Sequence, residues 1–248
     1  MNRNQFIKMG AIAGVGILAA PQLAFNASNP SFDKDFLIGK SDYAFRGPSW
    51  QMHQETYTSF QAMKKAAADA GFNIEVVSAY RSFERQKQIY EGKYKQYTTG
   101  GLSPIQAIEK IIEYSTIPGT SRHHWGTDID IIDRNGTPRP SSVLQAKHFH
   151  GAGPFCKLKE WLTTNAASFG FYEVYTDNAK RKGFKYEPWH FSYAAASRKM
   201  LADYHKLDVK QILLEEKLQG AAHFTDAFIT KYRNENILDI NPELILKP

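Results

Sequence analysis

The 248-residue chain is long enough to bury one well-packed domain with extensions, and two ordinary domains are not the default expectation at this length. Hydrophobic residues make up 42% of the sequence and aromatic residues 13%, which excludes a disordered chain. The net charge of +6 favours acidic surroundings such as nucleic acid, anionic lipid or an anionic wall polymer, without choosing among them.

The N-terminus has the pattern of an export signal. Arg3 and Lys8 precede an apolar run that ends at Pro21, and no acidic residue lies among them. The run is short for a lasting membrane-spanning helix. We predict a signal peptide at 1–27, a linker or irregular lead-in at 28–48, and export to the periplasm or cell envelope without a stable membrane span.

Three helices and a strand are predicted next along the chain. Apolar residues recur at spacings of three and four over 55–71, which indicates a helix, and a buried strand follows at 73–80. Ser82 can cap a second helix that ends near residue 97. Ser103 and Pro104 open a third helix, because proline is favoured at the first helical position.

The second half of the chain mixes short strands with helices. Polar and β-branched residues alternate over 127–132, as in a strand with one buried face. The remaining predicted elements are a helix at 155–168, strands at 172–175 and 189–193, and helices at 195–219 and 225–232. Because the elements do not alternate regularly, an α+β domain at 49–200 is favoured, with a helical C-terminal extension at 201–248.

Metal chemistry in this chain must use histidine and carboxylate ligands. Cys156 is the only cysteine, which excludes an intramolecular disulfide, a cysteine zinc site and an iron–sulfur cluster. A lone cysteine in a helical run is more often a small buried apolar residue than a nucleophile, so Cys156 receives no catalytic role.

Two motifs bring such ligands to predicted turns. In the first, Gly126 permits a turn, and the two-residue period of the strand beyond it places Asp128 and Asp130 on one face, within reach of His123. In the second, the apolar residues of Glu-Pro-Trp-His-Phe-Ser-Tyr alternate, so His190 points away from the core. The proline allows the backbone to bend, so that Glu187 and His190 can share one site.

Two imidazoles and one carboxylate suit tetrahedral Zn2+ with one position open, where the ion can activate water. A carboxylate that does not bind the metal, Glu187, can act as general base and later protonate the leaving amine. Taken alone, His190 is more often a satisfied core histidine, and carboxylates near turns are usually caps. The combination favours a catalytic zinc site.

At these residues the sequence resembles the zinc D,D- and L,D-carboxypeptidases related to the vancomycin-resistance enzymes, in the wider group with lysostaphin-type enzymes and hedgehog domains. The family pattern S-x-H-x-x-G-x-A-x-D is met by Ser121, His123, Gly126 and Asp130, and E-x-W-H by Glu187, Trp189 and His190. The resemblance implies a hedgehog-like zinc domain with a small, mainly antiparallel sheet flanked by helices. It also implies that the ligands are His123, Asp130 and His190 and that Glu187 is the base.

A third family pattern, Y-R-S-x-x-x-Q, is met by Tyr80, Arg81, Ser82 and Gln86. By resemblance, Arg81 polarises the scissile carbonyl and stabilises the developing oxyanion. Ser82, Gln86 and Ser121 are expected to contact substrate or to orient the ligands.

Asp128 departs from the family pattern, and His124 and Trp125 are also distinctive. Asp128 stands where the family has a small residue, and we group it with the substrate-binding residues because it can bind a substrate amine. Support of a metal ligand and a changed specificity are the alternatives for Asp128. His124 is a second candidate ligand, although the spacing to Asp130 in the pattern favours His123.

These features predict a zinc metallopeptidase that hydrolyses a bond of the peptidoglycan stem peptide. The resemblance implies that the enzyme removes a C-terminal D-alanine. One alternative is an endopeptidase that cuts within the stem or a cross-bridge. Another is a wall-binding module that keeps the fold without turnover. The basic residues are scattered and the chain carries an export signal, so nucleic acid is not an expected partner.

Overall fold

A four-stranded antiparallel sheet organises the fold. The computed structural model describes residues 32–246, and its strands are β1 (Ile74–Ser78), β2 (Asp128–Asp133), β3 (Phe171–Glu173) and β4 (His190–Tyr193). They are ordered β1-β2-β4-β3, and every neighbouring pair is antiparallel. The predicted signal peptide at 1–27 lies outside the described residues.

Eight α-helices of the described residues surround this sheet. They are α1 (Lys34–Leu37), α2 (Gln54–Asp69), α3 (Phe83–Thr99), α4 (Pro104–Ile111), α5 (Cys156–Asn165), α6 (Ala194–Tyr204), α7 (Val209–Glu215) and α8 (Asp226–Tyr232). The predicted α+β class is confirmed. Within the described part of the chain, no helix has both the length and the apolar character needed to cross a membrane.

The predicted caps of two helices are confirmed. The Ser82 hydroxyl accepts a hydrogen bond from Arg85 N at the start of α3. Ser103 and Gln106 form a reciprocal capping box at the start of α4, with Pro104 at its first turn. These local hydrogen bonds satisfy N–H groups that a helix leaves unpaired, which is why the sequence marks both starts.

The register between β2 and β4 separates a polar face from an apolar face. Asp130 pairs with His190, and Asp128 pairs with Ser192. Ile129 lies opposite Phe191 and faces the other side, in a hydrophobic cluster with α2 and α5. The alternation of the strands thus directs the predicted site residues away from this core.

Strand β2 differs from its prediction because both of its faces are buried. All six residues are buried, including Asp128 and Asp130. The polar face is covered by buried Arg122, His123 and His190, which contact these carboxylates. Polar residues on a strand therefore mark an internal site here and not a solvated face.

The predicted continuous helices are also divided. The helix expected at 195–219 is split into α6 and α7, because the Asp208 carboxylate caps the new helix by accepting from Gln211 N at 3.0 Å. The helix expected at 155–168 ends at Asn165 and continues as the 3-10 turn Ala166–Phe169. Between α6 and α7, residues 205–208 are not helical.

The lead-in at 28–48 contains a short helix that the sequence did not indicate. In α1 and just after it, Phe36, Leu37 and Ile38 are buried. The Leu37 carbonyl accepts a hydrogen bond from Trp125 Nε1 at 3.0 Å. The lead-in thus packs against the segment that carries the predicted metal ligand His123.

The C-terminal residues pack into the same hydrophobic cluster as α3 and α4. Leu213 and Leu244 belong to this cluster together with Phe83 and Ile108. The division into a domain at 49–200 and an extension at 201–248 stays a prediction. The packing nevertheless gives the C-terminal helices direct contact with the segment that leads into the site.

Candidate active site

A turn that ends in glycine carries the first histidine of the predicted cluster. His123 lies in the 3-10 turn Arg122–Trp125, which is capped by the Ser121 hydroxyl, 3.3 Å from His123 N. Gly126 ends the turn with a φ of +67°, and an added Cβ would lie 2.6 Å from the Phe45 ring. Only glycine meets both constraints, so the chain can enter β2 directly.

The three predicted metal ligands lie together on the polar side of the sheet. His123, Asp130 and His190 each offer a ligand atom, and these atoms lie within 4.8 Å of one another. All three residues are buried, and Asp130 Oδ1 has no hydrogen-bond partner among the described residues. An unpaired buried carboxylate oxygen is costly, and a bound cation would satisfy it. The cluster could therefore hold a metal ion.

The hydrogen bonds of the two histidines indicate which nitrogens face the cluster. His123 Nδ1 lies 2.7 Å from the Ala79 carbonyl, and His190 Nε2 lies 2.9 Å from Asp128 Oδ2. A carbonyl and an ionised carboxylate only accept, so both of these nitrogens carry hydrogen. His123 Nε2 and His190 Nδ1 remain as ligand atoms. His190 Nδ1 also lies 2.9 Å from Glu187 Oε2.

Burial and charge shift the titration of these groups in opposite directions. Burial raises the pKa of Glu187, although the hydrogen bond from His190 partly opposes this. Burial alone would lower the pKa of His190, but hydrogen bonds to Asp128 and Glu187 outweigh it and raise that pKa to about 10. Burial also opposes ionisation of Asp130, yet the neighbouring histidines and Arg81 hold its pKa below the ordinary value.

A cavity of about 680 Å³ opens onto the cluster. Arg81, Ser121 and Glu187 line it together with the three predicted ligands. Lys93 and Lys147 lie on its wall as well, so basic groups line the cavity together with the carboxylates. A volume of this size accommodates a small peptide segment.

Arg81 is held in place from behind. Its Nη1 donates to Gln86 Oε1 at 2.7 Å, and its Nη2 donates to Ser78 Oγ at 3.0 Å. Gln86 is buried and also donates to the Thr116 carbonyl at 2.7 Å. Ser82 serves as the cap of α3, and neither Ser82 nor Gln86 is among the described residues that line the cavity. The expected substrate contact therefore fits Ser121 better than these two residues.

Asp128 lies behind His190 and not on the cavity wall. Its carboxylate is fully buried and accepts hydrogen bonds from Arg122 Nε at 2.9 Å, Ser192 Oγ at 2.6 Å and Thr127 Oγ1 at 2.9 Å. Burial opposes its ionisation, but the Arg122 charge and the His190 hydrogen bond outweigh this and lower the pKa of Asp128. The expected substrate-binding role does not fit a carboxylate without exposed atoms.

His124 points away from the cluster. Its Nδ1 lies 2.6 Å from the Arg81 carbonyl, and its Nε2 accepts a hydrogen bond from Gly119 N at 3.1 Å. Burial lowers the pKa of His124 to about 3. This residue is therefore a neutral link between two loops, and of the two adjacent histidines it is His123 that joins the cluster.

Sequence reasoning missed three residues around the site. Arg122 occupies the unspecified position of S-x-H and is buried against Asp128. The Tyr175 ring packs edge-on against the His190 ring, with centroids 5.1 Å apart. Lys93 lies in α3 on the cavity wall. No residue pattern identifies Arg122 or Tyr175. Lys93 follows Gln86 by two helical turns along α3, and this spacing indicates that both lie on the same face of the helix.

A buried His-Asp-His cluster that could hold a metal ion, a separate carboxylate and a fixed arginine lie around one cavity, an arrangement that is typical of metallohydrolases. The VanY family of D-alanyl-D-alanine carboxypeptidases matches residues 49–196, and the chain belongs to this family. The family resemblance inferred from the motifs is thereby confirmed. The matched segment includes all of the predicted site residues.

Individual relatives agree with this assignment. The chain is 29% identical over 153 residues to a D-alanyl-D-alanine carboxypeptidase of Enterococcus faecalis, covering 61% of this chain and 51% of that protein. It is 28% identical over 162 residues to the putative carboxypeptidase YodJ of Bacillus subtilis, covering 64% and 53%. The chain thus spans about half the length of these curated relatives.

A solved structure supports the fold assignment. VanYB in complex with D-alanine-D-alanine has a TM-score of 0.50 to this protein at 25% identity, covering 72% of this chain and 92% of that one. The hedgehog-like α+β fold with a small antiparallel sheet is therefore confirmed.

Proposed function

We propose that this protein is a zinc-dependent peptidase that removes a C-terminal D-alanine from the stem peptide of peptidoglycan. The observation that carries the proposal is the convergence of His123, Asp130 and His190 within 4.8 Å, beside Glu187 in one cavity. Membership in a family of D-alanyl-D-alanine carboxypeptidases supports the substrate class.

The donor set fits zinc. His123 Nε2, His190 Nδ1 and an Asp130 oxygen would hold the ion, and two nitrogens with one oxygen are ligands that catalytic zinc accepts. When bound, the ion supplies Lewis-acid chemistry, which activates water and polarises a carbonyl. The outward hydrogen bonds of both histidines keep the ligand nitrogens directed at one point.

Glu187 is the proposed proton carrier. Its Oε2 lies next to His190 Nδ1, so the carboxylate is placed at the edge of the proposed metal position. It would take a proton from the attacking water and deliver it to the leaving amine. A pKa raised by burial favours this exchange, because a stronger base retains the proton long enough to pass it on.

Arg81 is the proposed stabiliser of negative charge on the scissile carbonyl oxygen. Its guanidinium is fixed by Gln86 and Ser78 and faces the cavity, so it need not reorganise as charge develops. Gln86 and Ser82 would act through the position of Arg81 and α3. Ser121, on the cavity wall, is the proposed contact to the peptide.

The charge of the cavity wall favours an exopeptidase. Lys93 and Lys147 lie on the wall together with Arg81, and a free C-terminal carboxylate would be attracted by these positive groups. An endopeptidase substrate has no carboxylate at that place. We therefore rank a carboxypeptidase above an endopeptidase. We also rank an active enzyme above a wall-binding module without turnover, because Glu187 is present.

Stem peptides test the proposal directly. The zinc-loaded protein should release D-alanine from a stem pentapeptide, a tetrapeptide or both, as measured by mass spectrometry, and the choice of peptide distinguishes D,D from L,D cleavage. Glu187→Gln is the matched control and should lower kcat by about 10²–10⁴-fold. Release of no amino acid by the parent protein would contradict the carboxypeptidase assignment, and internal fragments from digested wall would favour the endopeptidase.

Action on the wall requires export, which agrees with the predicted signal peptide. A fusion of residues 1–30 to a reporter enzyme that is active only outside the cytoplasm should be active. An inactive fusion that accumulates in the cytoplasm would contradict export.

A further inference from the structure

A buried carboxylate contacts the rear nitrogen of the second proposed ligand histidine. Asp128 Oδ2 lies 2.9 Å from His190 Nε2, on the side of the imidazole opposite to Asp130 and Glu187. Both residues are buried, with Asp128 at 0% exposure. The contact therefore cannot be exchanged for water, and it controls the orientation of the ring.

Strand geometry explains how this contact arises. Asp130 lies directly opposite His190 in the register of β2 and β4, and Asp128 lies two residues earlier on the same face. Diagonal neighbours on one face of an antiparallel pair are within reach of longer side chains. A small residue at position 128 would leave His190 Nε2 without this acceptor.

Arg122 holds the Asp128 carboxylate in place. Its Nε donates to Asp128 Oδ2 at 2.9 Å, its Nη2 donates to Ser192 Oγ at 2.8 Å, and its guanidinium lies over the Trp125 ring at 4.8 Å. The remaining oxygen, Oδ1, accepts from Ser192 and Thr127. With four donors in place the carboxylate cannot turn toward the cavity.

We infer that Asp128 is a positioning residue that orients the metal ligand His190, with Arg122 as its counter-charge. The inference rests on the proposed metal site. The Asp128 carboxylate accepts Nε2–H of His190, so Nδ1 is the nitrogen that would bind the ion, in the manner of carboxylate–histidine–metal units. His123 obtains the same orientation from the Ala79 carbonyl.

Asp128→Asn tests the inference, because the amide keeps the size of the side chain and removes its charge. Zinc affinity, measured by competition with a chromophoric chelator, should fall by about 10–100-fold. The Co(II) absorption spectrum should shift, because the ligand field of His190 changes. Asp133→Asn is the matched control: it makes the same change on the same strand, at a buried carboxylate that accepts from Asn73 N and Asn135 N, and should leave zinc affinity within about 3-fold.

A second variant separates positioning from folding. Asp128→Asn alone leaves the buried Arg122 charge unpaired, which destabilises the fold. The double variant Arg122→Gln with Asp128→Asn removes both charges, and it should still bind zinc about 10–100-fold more weakly than Arg122→Gln alone. A purely structural role would lower the free energy of unfolding without changing zinc affinity of the folded protein.

The possible outcomes separate the inference about Asp128 from the proposed function. If the parent binds zinc and releases D-alanine while the Asp128→Asn variants bind zinc as tightly as their references, the inference about Asp128 is overturned alone. If the parent does not bind zinc at one site per chain, the proposed function fails, and the inference fails with it.

Discussion

Replacing Tyr232 with phenylalanine tests whether the C-terminal helices hold the loop that leads into the site. The buried Tyr232 hydroxyl accepts a hydrogen bond from Ile117 N at 3.1 Å. It also lies 2.8 Å from Thr120 Oγ1, which keeps a second partner in the Ile117 carbonyl at 2.7 Å. The substitution therefore leaves one buried backbone N–H without a partner, and we expect a loss of about 1–3 kcal/mol in the free energy of unfolding.

Urea unfolding measures this loss as a lower midpoint with an unchanged slope. In a thermal scan, each kcal/mol should lower Tm by about 2–4 °C for a chain of this size. Tyr114→Phe is the matched control, since Tyr114 is 52% exposed. A loss below about 0.5 kcal/mol for Tyr232→Phe, the range of ordinary surface substitutions, would refute the anchoring role.

Removal of metal by a chelator should lower the calorimetric Tm, because zinc at 1,000 times its dissociation constant stabilises the fold by about 4 kcal/mol. An unchanged Tm would contradict metal binding. Gly126→Ala should destabilise the protein to urea far more than Gly71→Ala, since both have positive φ but only the first Cβ meets neighbours within 4 Å; equal losses would refute the steric argument. Burial lowers the pKa of His124 to about 3, whereas in the unfolded chain this imidazole has the ordinary pKa of about 6.5. As pH falls below about 6.5, the imidazole therefore takes up a proton in the unfolded chain and not in the folded one. Through His124 the metal-free protein should then lose up to about 1.4 kcal/mol of stability per pH unit, a contribution that His124→Gln should remove and that His150→Gln, at an exposed position, should leave in place.

The ligand cluster could be predicted because its geometry is mostly local. A glycine turn followed by a strand determines where Asp130 points relative to His123, and the strand period determines which way His190 points. The antiparallel pairing of β2 with β4 then brings Asp130 and His190 opposite each other. Only this pairing is non-local, and the family resemblance supplied it.

The surroundings of the cluster depend on contacts between distant residues, which leave no periodic pattern. Arg122 and Ser192 are far apart in sequence, yet they share the Asp128 carboxylate. Tyr232 reaches Ile117 from the C-terminal helices. The apolar triplet 36–38 is too short to give a helical period, so its burial against the site could not be deduced from the lead-in alone.

The adjacent histidines have different tasks that together couple the proposed metal site to the proposed oxyanion stabiliser. His123 Nδ1 is tied to the Ala79 carbonyl, and the His123 carbonyl accepts from Arg81 N at 3.0 Å. His124 Nδ1 is tied to the Arg81 carbonyl. These three bonds join the backbone around Arg81 to the turn that bears His123, so the backbone at Arg81 and the His123 imidazole belong to one hydrogen-bonded unit. All three acceptors are backbone carbonyls, so substitution of Ala79 or Arg81 does not remove them. The orientation of His190 depends instead on a side chain, so substitutions at positions 122 and 128 should alter metal affinity through His190 while leaving the geometry between Arg81 and His123 intact.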